Sequence, residues 1–185
     1  QDYQRAFAVL DMLAQMYPDD ITVQQQLMRI NAGRDDKDAV IATAEKILEL
    51  DPTRSELMVT LAQMHEAKGD AKKAFAVYED YAEKYPTEAR AHRNLANLHR
   101  RTGAHAAARA ADEKALLLTP GDVETLAEFA ALERQLGDFA AAEQKLQQAL
   151  AAARTPEGRA IALQGQSELH EVRGDLRAAI EVSEA

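Results

Sequence analysis

Apolar and small residues recur along this chain at a fixed interval, and the pattern predicts helices throughout. Apolar residues followed by alanine occur 34 residues apart, at Leu61-Ala62, Leu95-Ala96 and Phe129-Ala130. A second series of alanines follows on the next predicted helix of each unit, at Ala74, Ala108 and Ala142, with counterparts at Ala6 and Ala179 toward the two ends. Because only a small side chain fits where two helices approach closely, the pattern indicates pairs of tightly packed helices.

Proline and glycine mark where these helices end. The prolines recur every 34 residues, at Pro18, Pro52, Pro86 and Pro120, and the glycines do the same, at Gly69, Gly103 and Gly137. Proline cannot continue a helix because it lacks the backbone N–H and clashes with the preceding turn. Each unit is therefore predicted to contain a helix, a glycine turn, a second helix and a proline turn. In the first full unit the glycine comes early, at Gly33, which predicts an irregular helix pair.

These features resemble the tetratricopeptide repeat family, and the resemblance covers the whole chain. It implies an all-α fold, a right-handed α-solenoid of stacked antiparallel helix pairs. The early aromatic residue of the family, commonly tryptophan, is replaced by Met58, His92, Leu126 and Leu163. We therefore expect an aliphatic core.

The register divides the chain into repeats of a single array, residues 1–185. Residues 1–20 are predicted to be the second helix of a truncated repeat, followed by full repeats at 21–54, 55–88, 89–122 and 123–159 and a truncated repeat at 160–185. Pro156 is expected to end the last full repeat. Solenoids normally need a polar capping helix at each end, and neither end has one. We therefore expect a segment of a longer array.

The charge balance disfavours two classes of partner. The chain has 22 Lys and Arg against 31 Asp and Glu, a formal net charge of −9. Binding to nucleic acid or to anionic lipid relies on cationic surface, so neither is expected. The chain has no cysteine, which rules out disulfides. No apolar run is long enough to span a membrane, and we expect a soluble protein of the cytoplasm or the periplasm.

The third repeat carries the candidate partner-binding residues. In the family the first helix of each repeat lines a concave groove, and the resemblance implies that ligands lie there. This helix presents Arg90, Arg93, Asn94, Asn97, Arg100 and Arg101, at spacings that share one helix face. Guanidinium groups bind carboxylates or phosphates, and asparagine amides can hold an extended backbone. The sequence therefore predicts a site for an acidic segment of a partner protein.

An alternative remains open for these arginines. Glutamates on the flanking helices could neutralise them in a surface network of small energetic value, through Glu56, Glu66, Glu124 and Glu128. Both interpretations can hold together.

Some members of the family clamp a C-terminal carboxylate, and this sequence matches that motif only in part. Arg93 and Asn97 match its first pair. Glu128 stands in place of the second asparagine, and Ile161 and Gly165 stand in place of the basic pair. An acidic or phosphorylated internal segment is therefore the better prediction.

Two further polar features are interpreted as structural. The family usually has tyrosine at the positions of His65, His99 and His170, so we expect no metal site. Asp112 stands where other repeats have Leu10, Tyr78 and Leu146. A buried carboxylate needs a partner, and His99 or His92 is the expected one.

The sequence has no phosphate-binding loop, nucleophile elbow or converging carboxylate pair, so no enzyme activity and no cofactor are expected. The leading hypothesis is a non-catalytic interaction scaffold that binds an acidic partner segment in the groove. The alternative is a structural spacer without its own ligand, within a larger bacterial export, assembly or signalling protein. A third hypothesis is self-association through exposed end helices.

Overall fold

The computed structural model describes residues 2–175 and 182, without the side chains of residues 2–4 and 6, and the regular structure of this part of the chain is α-helical. The helices are α1 Asp2–Met16, α2 Ile21–Gly33, α3 Lys37–Leu50, α4 Glu56–Ala67, α5 Ala71–Lys84, α6 Ala89–Arg101, α7 His105–Leu118, α8 Val123–Gln135, α9 Phe139–Ala152 and α10 Pro156–Arg173. None of these described helices is both long and apolar enough to cross a membrane. The predicted all-α fold class is confirmed.

The helices form pairs in the predicted register. Two helices lie in each predicted full repeat, α2 and α3 in the first and α8 and α9 in the fourth. The turn within a pair is short, so its helices are antiparallel neighbours. The chain divides into two compact units, Gln1–Tyr85 and Pro86–Ala185. The second helix expected in the last truncated repeat falls at residues 176–185, which lie outside the described residues except for Val182.

The first unit is held together by aliphatic contacts between successive helices. In this unit α2 packs against α1 and α3, and α4 packs against α3 and α5. Ile41, Ala44 and Leu61 form a buried cluster, and Leu48 and Val77 pack against it. This cluster is aliphatic, as expected from the missing tryptophan, but Tyr78 and Tyr81 of α5 are also buried, so the core of the unit is not aliphatic throughout.

The second unit stacks its helix pairs in the same way. Here α7 packs against α6 and α8, and α10 packs against both α8 and α9. Phe129 and Leu132 of α8 contact Ala108 of α7, while Leu146 and Ala142 of α9 belong to a second cluster. Three of the repeated alanines have no exposed surface, as close helix approach requires: Ala74, Ala108 and Ala142. The side chain of Ala6 and all of Ala179 lie outside the described residues.

The turn of the first full repeat corrects one expectation. Gly33 is the last residue of α2 and does not make the turn. Asp35 makes it, with φ of 57°, at the position that Gly69, Gly103 and Gly137 occupy in later repeats with φ of 77°, 74° and 82°. Aspartate is one of the few non-glycine residues that adopt this left-handed conformation. The 34-residue register therefore extends into the first full repeat.

The role of Pro156 also differs from the prediction. It begins α10 and does not end the preceding repeat, because α9 already ends at Ala152. Proline suits the first position of a helix, where its missing N–H would have no helical partner. Thr155 caps the same helix, its hydroxyl oxygen accepting a hydrogen bond from the Gly158 amide at 3.1 Å.

Candidate interaction site

Helix α6 carries all six residues predicted to bind a partner. Its buried side consists of Ala91, His92, Ala96 and Leu98. Arg90 and Arg101 are exposed, whereas the other four predicted residues are partly buried. The helix therefore brings the six together, but it places them in different surroundings.

Arg93 forms ion pairs at the beginning of α8. Its Nη1 lies 2.6 Å from Oε2 of Glu124 and 3.2 Å from Oδ2 of Asp122. The same Asp122 oxygen accepts a hydrogen bond from the Thr125 hydroxyl at 2.6 Å. These contacts join α6 to the first turn of α8.

Arg100 joins three helices. Its Nη1 donates to the Asp112 carboxylate of α7, and its Nη2 donates to Oε2 of Glu128 on α8 at 2.7 Å. Nη2 also donates to the Asn97 side-chain oxygen, and the Asn97 amide donates to Oε1 of Glu128 at 3.3 Å. Glu124 and Glu128 thus pair with the α6 arginines, as the alternative interpretation predicted.

Asp112 is the most deeply buried charged residue of this network. Its side chain has no exposed surface, and its Oδ1 has no hydrogen-bond partner among the described residues. Burial raises the pKa of Asp112 to about 7, Arg100 opposes this shift, and Glu128 and Glu133 add to it. The cation at this carboxylate is Arg100, one of the residues predicted to bind a partner, and not the expected histidine. His92 has a contact elsewhere, with Nε2 lying 2.9 Å from the Pro86 carbonyl oxygen.

Glu133 is a second buried carboxylate, which was not among the residues predicted from the sequence. It is 3% exposed, and Arg109 of α7 donates a hydrogen bond to it. The repeat register contains the signal that could have identified it, because Glu133 lies 34 residues after His99. The equivalent residues His65 and His99 are half-buried, and a carboxylate at such a position implies a cation on the neighbouring helix.

A small cavity lies between α8 and α10, with α9 beneath it. Its volume is about 220 Å³, and its lining includes Ala127, Glu128 and Ile161. Beside it, Arg134 donates to Glu168 at 2.8 Å. Ile161 and Gly165, which replace the basic pair of the carboxylate clamp, both line this cavity. No three His, Cys, Asp or Glu side chains in the described part of the chain are placed to hold a metal ion.

Comparisons with known proteins agree with this repeat architecture. Residues 55–98 match the tetratricopeptide repeat family. A tetratricopeptide repeat protein from Parabacteroides merdae superposes with a TM-score of 0.73 at 18% identity, covering 88% of this chain and 63% of that one. Residues 55–98 thus match this family, and the chain as a whole shares the fold of tetratricopeptide repeat proteins.

Two further solved structures have a similar fold. The superposition with the pilF protein of Pseudomonas aeruginosa covers 98% of this chain and 81% of that one, with a TM-score of 0.70 and 16% identity. The second is YrrB, described as a tetratricopeptide repeat protein with an unusual peptide-binding site. Its superposition covers 94% of this chain and 88% of the YrrB chain, with a TM-score of 0.63 and 16% identity. At such identities the likeness shows the fold. No curated protein sequence matches this chain.

Proposed function

We propose that this chain is a non-catalytic interaction scaffold that binds an acidic segment of a partner protein in a groove lined by the first helices of the repeats in its second unit, with α6 at its centre. The observation that supports this proposal is that α6 presents Arg90 and Arg93 one turn apart, with Arg93 paired to the exposed carboxylate of Glu124. The peptide-binding site named for YrrB supports the same class of function.

The ion pair of Arg93 is suited to exchange. The Arg93 side chain is 24% exposed and that of Glu124 is 58% exposed. Exposed pairs of this kind contribute only about 0–1 kcal/mol. A carboxylate of the partner segment can therefore replace Glu124 on Arg93 at little cost, and Arg90 on the same face can bind a second one.

Arg100 has a different role in this proposal. It pairs with Asp112, which has no exposed surface, and removing Arg100 would leave that buried carboxylate without its cation, a change that typically costs about 3–5 kcal/mol. We therefore assign Arg100 and Asn97 to holding α6 against α7 and α8, and Arg90, Arg93 and Asn94 to contact with the partner.

The test is a pair of charge reversals with matched net charge. A fluorescein-labelled peptide rich in Asp and Glu is the probe, a Lys-rich peptide is its counterpart, and binding is followed by fluorescence anisotropy. Arg90→Glu with Arg93→Glu should weaken binding of the acidic probe at least tenfold. The control, Arg154→Glu with Arg159→Glu, changes exposed arginines away from α6 and should leave binding within twofold. Equal loss in both variants, or no preference of the unmodified protein for the acidic probe, would contradict the proposal.

The second candidate function is a structural spacer. The intramolecular pairing of Arg93 and Arg100 favours it, because both charges are already compensated. A spacer should bind neither peptide, and neither charge reversal should change any binding signal.

A further inference from the structure

A cleft lies on the opposite helices of the repeats in the first unit. Helices α3 and α5 both pack against α4, and between them they leave a space of about 580 Å³. This volume lies within the range of about 300–1,000 Å³ that is typical of ligand sites. Leu48, Leu61 and Val77 line it, one from each helix. All three belong to the apolar cluster of this unit, so the floor of the cleft is core surface that solvent can reach.

One end of the cleft is fixed by a hydrogen bond. The Tyr85 hydroxyl, just beyond α5, donates to the carbonyl oxygen of Pro52 in the turn between α3 and α4. The rings of Tyr81 and Tyr85 meet edge to face, with centroids 5.5 Å apart. These contacts hold the end of α5 against the α3–α4 turn, so the cleft is formed before any partner binds.

The rim of the cleft is acidic on both sides. Glu45 and Glu49 lie one turn apart on α3, and both are exposed. Asp80 lines the cleft from α5, where the Lys84 ammonium is 2.9 Å from its carboxylate. The lining therefore has three carboxylates and one ammonium group. Glu49 lies 4.0 Å from the ammonium group of Lys46, which is closer to Asp19 at 3.0 Å.

We infer that this cleft is a second interaction surface, which takes a basic amphipathic segment of a partner protein. An apolar side chain of that segment enters between α3 and α5 and contacts Leu48, Leu61 and Val77. Lysines or arginines on either side of it pair with Glu45 and Glu49 across one rim and with Asp80 across the other. Apolar burial supplies the affinity, and the charges select the partner and its orientation.

This inference goes beyond the proposed function, since it concerns other helices and a partner of opposite charge. The two can fail separately. Charge reversal on α6 tests the acidic segment, and charge reversal on α3 tests the basic one.

The experiment uses three labelled peptides and the full chain. The main probe is an amphipathic peptide of leucines and lysines. One companion has glutamate in place of lysine, and the other has serine in place of leucine. Fluorescence anisotropy should show that only the main probe binds at micromolar concentration, and that raising the salt concentration weakens its binding.

Two variants then locate the site. Glu45→Lys with Glu49→Lys should weaken binding of the main probe about tenfold or more, because two attractive charges become repulsive. Val77→Phe fills the cleft without a change of charge and should have a similar effect, with circular dichroism confirming that the variant is folded. The matched control, Glu113→Lys with Glu171→Lys, makes the same charge change at exposed positions of the second unit and should leave binding within twofold.

Three results would overturn the inference. Equal weakening by the control pair would mean that the probe senses net charge only. If the peptide with glutamate in place of lysine bound as tightly as the main probe, the acidic rim would not discriminate between basic and acidic segments. Full binding to a folded Val77→Phe variant would mean that the apolar side chain enters elsewhere.

Discussion

The buried carboxylate of Asp112 leads to a quantitative prediction for Asp112→Asn. Asparagine has nearly the same shape as the protonated acid but carries no charge at any pH. The pKa of Asp112 rises from 3.8 to about 7 in the folded protein. A shift of about three units corresponds to about 4 kcal/mol, at 1.36 kcal/mol for each unit. This value is an upper estimate of what the charge costs the folded state.

The direction in which stability changes with pH follows from proton binding. Folded Asp112 holds its proton more tightly than the unfolded chain does, so its contribution to stability is fully present below about pH 4 and is lost as the pH rises through 7. Asp112→Asn should therefore match the unmodified protein near pH 4. By pH 8 it should be more stable, by up to about 4 kcal/mol. Arg100 keeps Glu128 as a partner in the variant.

The measurement is urea denaturation followed by circular dichroism at several pH values between 4 and 8.5. The control is Glu113→Gln, an exposed carboxylate next to Asp112 on α7, whose stability should follow that of the unmodified protein. Parallel pH profiles for Asp112→Asn and the unmodified protein would refute the reasoning. So would a loss of about 3–5 kcal/mol in Asp112→Asn at pH 8, because a net stabilising buried ion pair would give that result.

Three further predictions concern helix ends and packing, and thermal denaturation checks each of them. Ala104 is the N-cap of α7 without a side-chain cap, whereas Asp70 caps α5 at the equivalent position; Ala104→Asp should stabilise by about 1 kcal/mol, and an unchanged Tm would contradict this. Gly165→Ala would place its Cβ 2.5 Å from Cδ2 of Leu146 and should destabilise by about 1–3 kcal/mol; a neutral result would mean that the Leu146 side chain can turn into the adjacent cavity. Asp35→Gly removes a side chain from a left-handed residue. It should not lower Tm by more than a degree or two, because the relief of backbone strain offsets the added freedom of the unfolded chain. A larger loss of Tm would show that the ion pair of Asp35 with Lys37 is the stronger effect.

The repeat architecture could be predicted because it depends on local signals. Proline, glycine and small residues act through the backbone within one or two turns of helix, so their 34-residue spacing marks each helix pair. The errors occurred where one residue can serve two purposes. Pro156 can follow a helix or begin one, and it begins α10 because Thr155 caps it. Asp35 replaced the expected glycine because aspartate also tolerates a positive φ.

The candidate site was predictable only as a set of positions. The register placed Arg93, Asn97 and Arg100 on one helix face, and α6 does carry them. It could not show that Arg100 turns toward Asp112 of α7 while Arg93 meets Glu124 of α8. A long arginine side chain reaches carboxylates in several directions, and which of them it meets depends on how neighbouring helices pack.

The sequence by itself determined the helix pairs, their period and the alanines between them, because these features follow from backbone preferences and side-chain size. The tertiary structure decided which charged side chains form ion pairs within the protein and which remain accessible to a partner. It also decided where apolar surface stays open, as in the cleft between α3 and α5. Both outcomes depend on distances between side chains far apart in the chain, and only the packing of the helices sets those distances.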